Sequence, residues 1–341
     1  MGAQVKIDTM ALTTDEVDLR PAAAEAERAG YTGLWTSETK HDPFIAVALA
    51  ACATEHIDVG TAIALAFARS PMTLAVQAND LQILSRGRLL LGLGSQIKPH
   101  ITRRFSMPWS HPAPRMREYI LAMRAIWDCW HNGSKLSFTG EFYSHTLMTP
   151  FFNPGPSPYG APPVMLAGVG TAMTAVAGEV ADGFLCHGFT TERYLREVTL
   201  PTLAGARPGG DLAGFEVSGS PFVVTGRTDE EMSEARRGVR EQIAFYGSTP
   251  AYRPVLELHG WGALSEELHR LSRLGKWKEM GEAIDDQVLD AFAVTAEPDQ
   301  VAAALLRRYG DVMTRMTLYT PYAIDPGVIS QIVAGLQAPA A

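Results

Sequence analysis

Residues 36–43 crowd four ionisable side chains, Glu38, Lys40, His41 and Asp42, into five positions directly ahead of Pro43. A carboxylate and an imidazole this close can pass a proton near neutral pH. Asp42 reads equally well as the cap of a helix opening at Pro43. The catalytic candidates are therefore Glu38 and His41. A second segment, Gly94-Ser95-Gln96-Ile97-Lys98-Pro99-His100, sets small residues beside a cation and an imidazole. Ser95 and Gln96 would let a flat ring approach the backbone, and Lys98 or His100 could meet an anion, while Arg103 and Arg104 read as helix-surface charges. In a third segment, Gly168-Val169-Gly170-Thr171 leads straight into a helical stretch. Backbone N–H groups at such a helix start bind phosphate, although glycines also serve tight strand–helix turns. Neither Gly92-Leu93-Gly94 nor Gly168-Val169-Gly170 continues to the third glycine of the dinucleotide fingerprint. HExxH, the P-loop and GxSxG are absent, so metalloprotease, nucleotide triphosphatase and α/β-hydrolase chemistry find no support.

What must position these segments is an alternation of short apolar runs and helical stretches. Strands are expected at 5–8, 34–36, 57–66, 89–93, 164–167, 183–187, 215–225 and 316–320. Helices are expected at 21–29, 44–54, from 71, through 116–130, at 171–181 and 191–198, from 228, and a last one from 298. Met116, Tyr119, Ile120, Met123, Ile126, Trp127 and Trp130 share one face at helical spacing and are expected in the core. Two stretches break the rhythm: 136–162, a hairpin with a proline-rich loop, and 246–294, rich in Trp, His, Leu and charge. Tyr246, Tyr252, His259 and Trp261 in the latter would either lid a pocket or pack on the barrel or a partner subunit. Eight strands alternating with helices predict an α/β fold, a (β/α)8 TIM barrel with insertions, as one domain over 1–341. All three polar segments above follow a strand, which places them at the C-terminal mouth of such a barrel.

Composition agrees. At 46% hydrophobic and 19% charged residues the chain can bury a large core. A net charge of −8 without a basic stripe argues against a nucleic-acid partner. Cys52, Cys129 and Cys186 are scattered, with no CxxC pair, so no structural metal is expected and a reducing cytoplasmic setting fits. The first ten residues lack the pattern of a signal peptide, and the longest apolar runs are too short to span a bilayer.

Four segments together resemble the luciferase-like monooxygenase superfamily, and within it the branch that uses the deazaflavin coenzyme F420. They are Gly33-Leu34-Trp35-Thr36-Ser37-Glu38, Val59-Gly60-Thr61-Ala62-Ile63, the run from Ser85 through Gly94, and Pro163-Val164-Met165-Leu166-Ala167-Gly168 continuing to Ala181-Asp182-Gly183-Phe184. Gly140-Glu141-Phe142-Tyr143 also fits, and the similarity runs along nearly the whole chain. The resemblance implies a bacterial-luciferase-like barrel with a non-proline cis peptide, here Ala62–Ile63, against the cofactor's central ring. It implies a phosphate loop at Val169, Gly170 and Thr171, with Gly168 before it, and an acid after strand two at Glu38. Two departures stand out: Thr39 occupies the place of a histidine found in deazaflavin dehydrogenases, and no carboxylate follows strand four. The expected function is therefore hydride exchange between F420 and a small organic substrate, with His41 substituting for the missing histidine. The alternatives are an FMN-dependent monooxygenase and a catalytically idle flavin-binding or deazaflavin-binding protein; homo-oligomerisation stays open.

Overall fold

The computed structural model describes residues 5–12 and 17–338. Eight parallel strands close into a barrel: β1 Lys6–Met10, β2 Gly33–Thr36, β3 Asp58–Thr61, β4 Leu89–Gly94, β5 Val164–Gly168, β6 Gly183–Cys186, β7 Glu216–Gly219 and β8 Arg315–Thr317. Each pairs with its neighbour in sequence, and β8 returns to β1 with Arg315 opposite Lys6, so no edge is left open. The strands are buried on both faces, which explains why they read as continuous apolar runs.

Helices α1 Arg20–Arg28, α2 Pro43–Ala53, α3 Pro71–Leu84, α4 Pro112–Asn132, α5 Thr171–Val180, α6 Leu200–Ala206, α7 Asp229–Gly247, α8 Val301–Tyr309 and α9 Pro326–Gln337 surround the sheet. Asp42 caps α2 by accepting from the N–H groups of Phe44 and Ile45, as its place before proline predicted. The apolar face of α4 is buried at each of the seven expected positions. Glu118 on the same helix accepts from the N–H groups of Glu141, Phe142 and Tyr143, pinning the hairpin Phe138–Thr139/Ser144–His145.

Several expected elements differ in extent. The third strand does not run through 57–66: after Thr61 the chain bends at Ala62–Ile63, a cis peptide, and resumes at Ala64–Leu65 beside Leu93 and Gly94 of β4. The seventh breaks at Ser220-Pro221, because proline cannot continue a ladder. Its second part, Phe222–Val224, pairs with Ala293–Thr295, a strand not foreseen inside 246–294. The eighth begins one residue earlier than expected and ends at Thr317. The helix foreseen from 298 starts at Val301, and α9 follows it, opened by Asp325 and Pro326 just as α2 is by Asp42 and Pro43.

The barrel interior is filled in layers. At the N-terminal end Arg315 lies fully buried among carboxylates. Its Nε and Nη2 donate to Asp8 (2.7 and 2.9 Å) and its Nη1 to Asp58 (2.8 Å) and Glu216 (3.3 Å). Trp35 Nε1 donates to Asp8 as well (2.8 Å). Burial alone would lower the Arg315 pKa, but the three carboxylates overrule it and hold the guanidinium charged. Gly33 is required here, since a Cβ would sit 2.6 Å from Arg315 Nη2. Above this layer Trp35, Leu90, Met165 and Leu185 close the core beneath the mouth.

The stretch 246–294 folds mainly as helices Arg253–Leu258, Gly262–Arg273, Trp277–Glu282 and Asp286–Phe292. With α7 they bury a second apolar core containing Val239, Ile243, Leu256, Leu268, Leu289 and Phe292. The region is thereby docked by packing.

Candidate active site

The mouth divides into two halves, each built on the ends of different strands. On the β2–β5 half, the Glu38 side chain is only 6% exposed. Its Oε2 accepts from the Leu65 N–H (2.8 Å) and from Arg69 Nη1 (2.7 Å), while the Glu38 N–H donates to the Ile63 carbonyl (3.1 Å). Arg69 also donates from Nη2 to Asp42 (3.0 Å) and lies over the Phe44 ring. Burial works against the Arg69 charge, and the Glu38 and Asp42 carboxylates reverse this and raise its pKa. Glu38 therefore holds the far side of the Ala62–Ile63 bend, while on the near side the Ala62 N–H donates to the Thr36 carbonyl at the end of β2 (2.7 Å). His41, three residues on, is half-buried and makes no side-chain hydrogen bond to the described residues.

Ala62 and Ile63 are half-buried and form an apolar ledge at the mouth. Gly94 lies beneath it: a Cβ there would fall 2.0 Å from Ile63 Cδ1, so only glycine admits the ledge. Beyond Gly94, Ser95 and Gln96 are half-buried, and Gln96 takes the left-handed conformation (φ 56°), turning the chain sharply away. Lys98 and His100 lie further out and are exposed. Arg104, expected as a plain surface charge, donates to the Thr39 carbonyl (2.7 Å) and ties this loop to the one after β2.

The third segment closes this half. Gly170 is the N-cap of α5 and offers no side chain to the first turn, whereas α2, α3 and α7 are each capped by one. A Cβ on Gly170 would meet nothing within 4 Å. The first N–H groups of α5, at Thr171, Ala172 and Met173, thus face open space beside Gly168 and Val169, an arrangement suited to a phosphate. Ala62, Ile63, Ser95 and Gln96 line one side of this mouth, and Gly168, Val169, Gly170 and Thr171 stand on the next strand along.

The β6–β8 half was not foreseen as a site. His187 follows β6 directly and stacks on Tyr252, with ring centroids 4.7 Å apart. Its Nδ1 accepts from the Phe189 N–H (3.0 Å), and its Nε2 lies 3.1 Å from the Tyr252 hydroxyl. Burial pushes the His187 pKa down to about 4 and that of Tyr252 up to about 12. Tyr246 meets His187 edge-on and shares a hydrogen bond with Tyr319 (2.9 Å). Tyr319 in turn stacks on Phe222. His259 and Trp261 stack on each other further out, and His259 Nε2 meets Thr191 Oγ1 at 2.8 Å. The same rule that pointed to Glu38, inspection of the residue just past each strand, would have found His187 had strand six been ended one residue sooner.

Residues 8–315 match the family model described as luciferase-like monooxygenase. The chain belongs to that family. Among its relatives an uncharacterized protein of Mycobacterium tuberculosis is 55% identical over 297 residues, covering 86% of this chain and 87% of the relative. A 5,10-methylenetetrahydromethanopterin reductase of Archaeoglobus fulgidus is 25% identical over 319 residues, covering 90% and 91%. In three dimensions the luciferase-like barrel is similar to the coenzyme F420 dependent tetrahydromethanopterin reductase from Methanopyrus kandleri. The TM-score is 0.76 at 19% identity, over 97% of each chain. Among the described residues no helix is long and apolar enough to cross a membrane.

Proposed function

We propose that this chain is an oxidoreductase that exchanges a hydride between the deazaflavin coenzyme F420 and a small organic substrate. The observation that carries the reading is the uncapped N-terminus of α5 at Gly170, opening onto the same mouth as the half-buried Ala62–Ile63 ledge. One feature suits a phosphate and the other a flat ring, so the residues present fit a phosphorylated flavin-type group. The reductase relatives favour the deazaflavin over FMN.

When bound, such a group supplies a two-electron hydride carrier; the chain supplies the rest. The N–H groups of Thr171, Ala172 and Met173 hold the phosphate, with Gly168, Val169 and Gly170 allowing its approach. Ala62 and Ile63, backed by Gly94, support the ring face, and Ser95 and Gln96 border it. Glu38 is a positioning residue, its carboxylate spent on Arg69 and the Leu65 N–H, so that the ledge stays in place. Proton transfer falls to His41, whose ring is committed to no other partner. His41→Ala should lower turnover about 100-fold, the usual scale for a general acid or base, with cofactor affinity nearly unchanged.

The test is to titrate the purified protein separately with F420 and with FMN, and to repeat both on Thr171→Pro. Proline is tolerated at the first helical position but removes one phosphate donor. F420 should bind more tightly than FMN, and the variant should lose about 10-fold in affinity with its fold intact. Tighter binding of FMN would favour a monooxygenase of the family's eponymous kind. Equal F420 affinity in parent and variant would move the phosphate elsewhere.

A further inference from the structure

The three most exposed large apolar side chains among the described residues lie on one loop, between the hairpin and β5. Leu147 is 77% exposed, Phe151 89% and Phe152 73%. Residues 146–163 contain six prolines and no Asp, Glu, Lys, Arg or His, on a chain whose net charge is −8. A contiguous apolar surface of this kind marks an interaction site. The loop is held in shape: Phe152 N–H donates to the Thr149 carbonyl (3.0 Å), and Asn153 Oδ1 accepts from the Gly155 N–H (2.9 Å). The two phenyl rings meet edge to face with centroids 5.1 Å apart. They project as one preformed knob, so docking it costs little conformational entropy.

Beside the knob lies a cavity of about 380 Å³. Leu136, Leu147, Met148 and Pro150 line it, together with Cys129 from the last turn of α4. Small uncharged polar residues complete the lining, and Lys135 is its one charged residue. A cavity of about 150 Å³ holds one benzene ring, so this one has room for both rings of a knob. Phe151 and Phe152 form no part of the lining; they stand beside the hollow and not in it. Leu147 and Pro150 border both, which places knob and cavity on one face. A projection and a hollow side by side are self-complementary about a two-fold axis, because each copy inserts what the other receives. Residues 129–136 and 146–163 carry no carboxylate, so two negatively charged chains can approach here without opposing acids.

We propose that this face binds a second copy of the chain, with Phe151 and Phe152 of each copy seated in the cavity of the other. α4 leads away from the mouth after β4, and its last turn borders the cavity, so the contact leaves the mouth open. The pairing is independent of the oxidoreductase reading.

The test is sedimentation velocity of the full chain from about 1 to 100 µM, the range in which a contact of modest area associates. At the top of the range the parent should show twice the mass of Phe151→Asp. That substitution lies at a ring exposed to solvent, so its Tm should equal the parent's. Thr146→Arg, which places a charged side chain in the cavity and leaves the knob intact, should halve the mass as well. Ile83→Glu, on the separate exposed apolar surface of α3, is the control. The proposal is overturned if the parent and Phe151→Asp have the same mass throughout, or if Ile83→Glu and not Phe151→Asp halves it. Dissociation by Phe151→Asp but not by Thr146→Arg would overturn it too, since the cavity would then receive nothing. A single-copy parent that floats with phosphatidylcholine vesicles, where Phe151→Asp does not, would assign the knob to a lipid surface instead. F420 affinity should be the same in Phe151→Asp and the parent, so failure of the cofactor to bind would leave this result untouched.

Discussion

Arginine meets carboxylates at both ends of this barrel, in two different physical settings. At the bottom Arg315 is sealed from water and shared by Asp8, Asp58 and Glu216, with Trp35 completing the donors around Asp8. At the mouth Arg69 keeps some exposure (14%) and serves Glu38 and Asp42. The bottom cluster joins strands β1, β3, β7 and β8, which are distant in sequence, and so closes the barrel. The mouth cluster joins the loop after β2 to the segment just beyond β3 and so shapes a surface. The bottom pairing serves stability; under the proposed function the mouth pairing sets geometry for a ligand. Arg315 and Asp8 are both sealed, and a sealed charge cannot fall back on water when its partner is lost, whereas Arg69 keeps some exposure.

The largest effect is therefore expected from Arg315→Ala. It would strand Asp8 without its main partner in a dry interior and cost about 3–5 kcal/mol of unfolding free energy. Arg315→Lys keeps the charge but not the fork that reaches three carboxylates, and should lose less. Urea denaturation of both variants measures this. Ligand affinity in the folded fraction should be unaltered. A loss below 1 kcal/mol for Arg315→Ala would abolish the contrast between the two ends.

Next comes Arg69→Ala. Glu38 would keep the Leu65 N–H and gain access to water, so stability should drop by only about 1–3 kcal/mol. Affinity for F420 should nonetheless fall well beyond any change in Arg315→Lys, because the Ala62–Ile63 ledge is tied to β2 through this pair. Isothermal titration beside the urea series separates the two quantities. Arg69→Ala and Arg315→Ala showing the same ratio of stability loss to affinity loss would mean the ends do not differ in kind.

The sequence carried the bottom and the mouth unequally. The barrel was legible because parallel strands buried on both faces must read as apolar runs, and because glycine-rich strand ends and proline-started helices mark their own boundaries. Glu38, Gly168 and Gly170 were legible because each sits next to a strand end, whereas the Ala62–Ile63 bond, inside the strand expected at 57–66, was legible only through the family resemblance. The Arg315 cluster was not: Asp8, Asp58, Glu216 and Arg315 lie up to 307 positions apart, and only closure of the barrel brings them together. The partner of Glu38 was hidden in the same way, since Arg69 reaches it from beyond the bend after β3. His187 and its tyrosines were hidden by the break at Ser220-Pro221 and the helical stretch 253–292, whose packing no period in the sequence announces.

The smallest effect sharpens the comparison within the mouth itself. His187 carries no carboxylate partner; the groups facing it are the hydroxyl of Tyr252, the ring of Tyr246 and the Phe189 N–H. Burial pushes its pKa down to about 4, against 6.5 for an unperturbed imidazole. Between these two values the unfolded chain binds a proton that the folded chain refuses, so acidification favours unfolding. The contribution of His187 is fully present above pH 6.5 and is lost progressively as the pH falls toward 4. For a half-buried ring this amounts to on the order of 1 kcal/mol, well under the cost of breaking either arginine cluster. Differential scanning calorimetry from pH 7 to pH 4 should show a steeper decline in Tm for the parent than for His187→Gln. Gln cannot titrate, yet its side-chain amide can still donate toward Tyr252. Parallel declines would mean that His187 is protonated in the folded protein. Its Nε2–H would then no longer mark a fixed tautomer, and the neutral character of this half of the mouth would be lost with it.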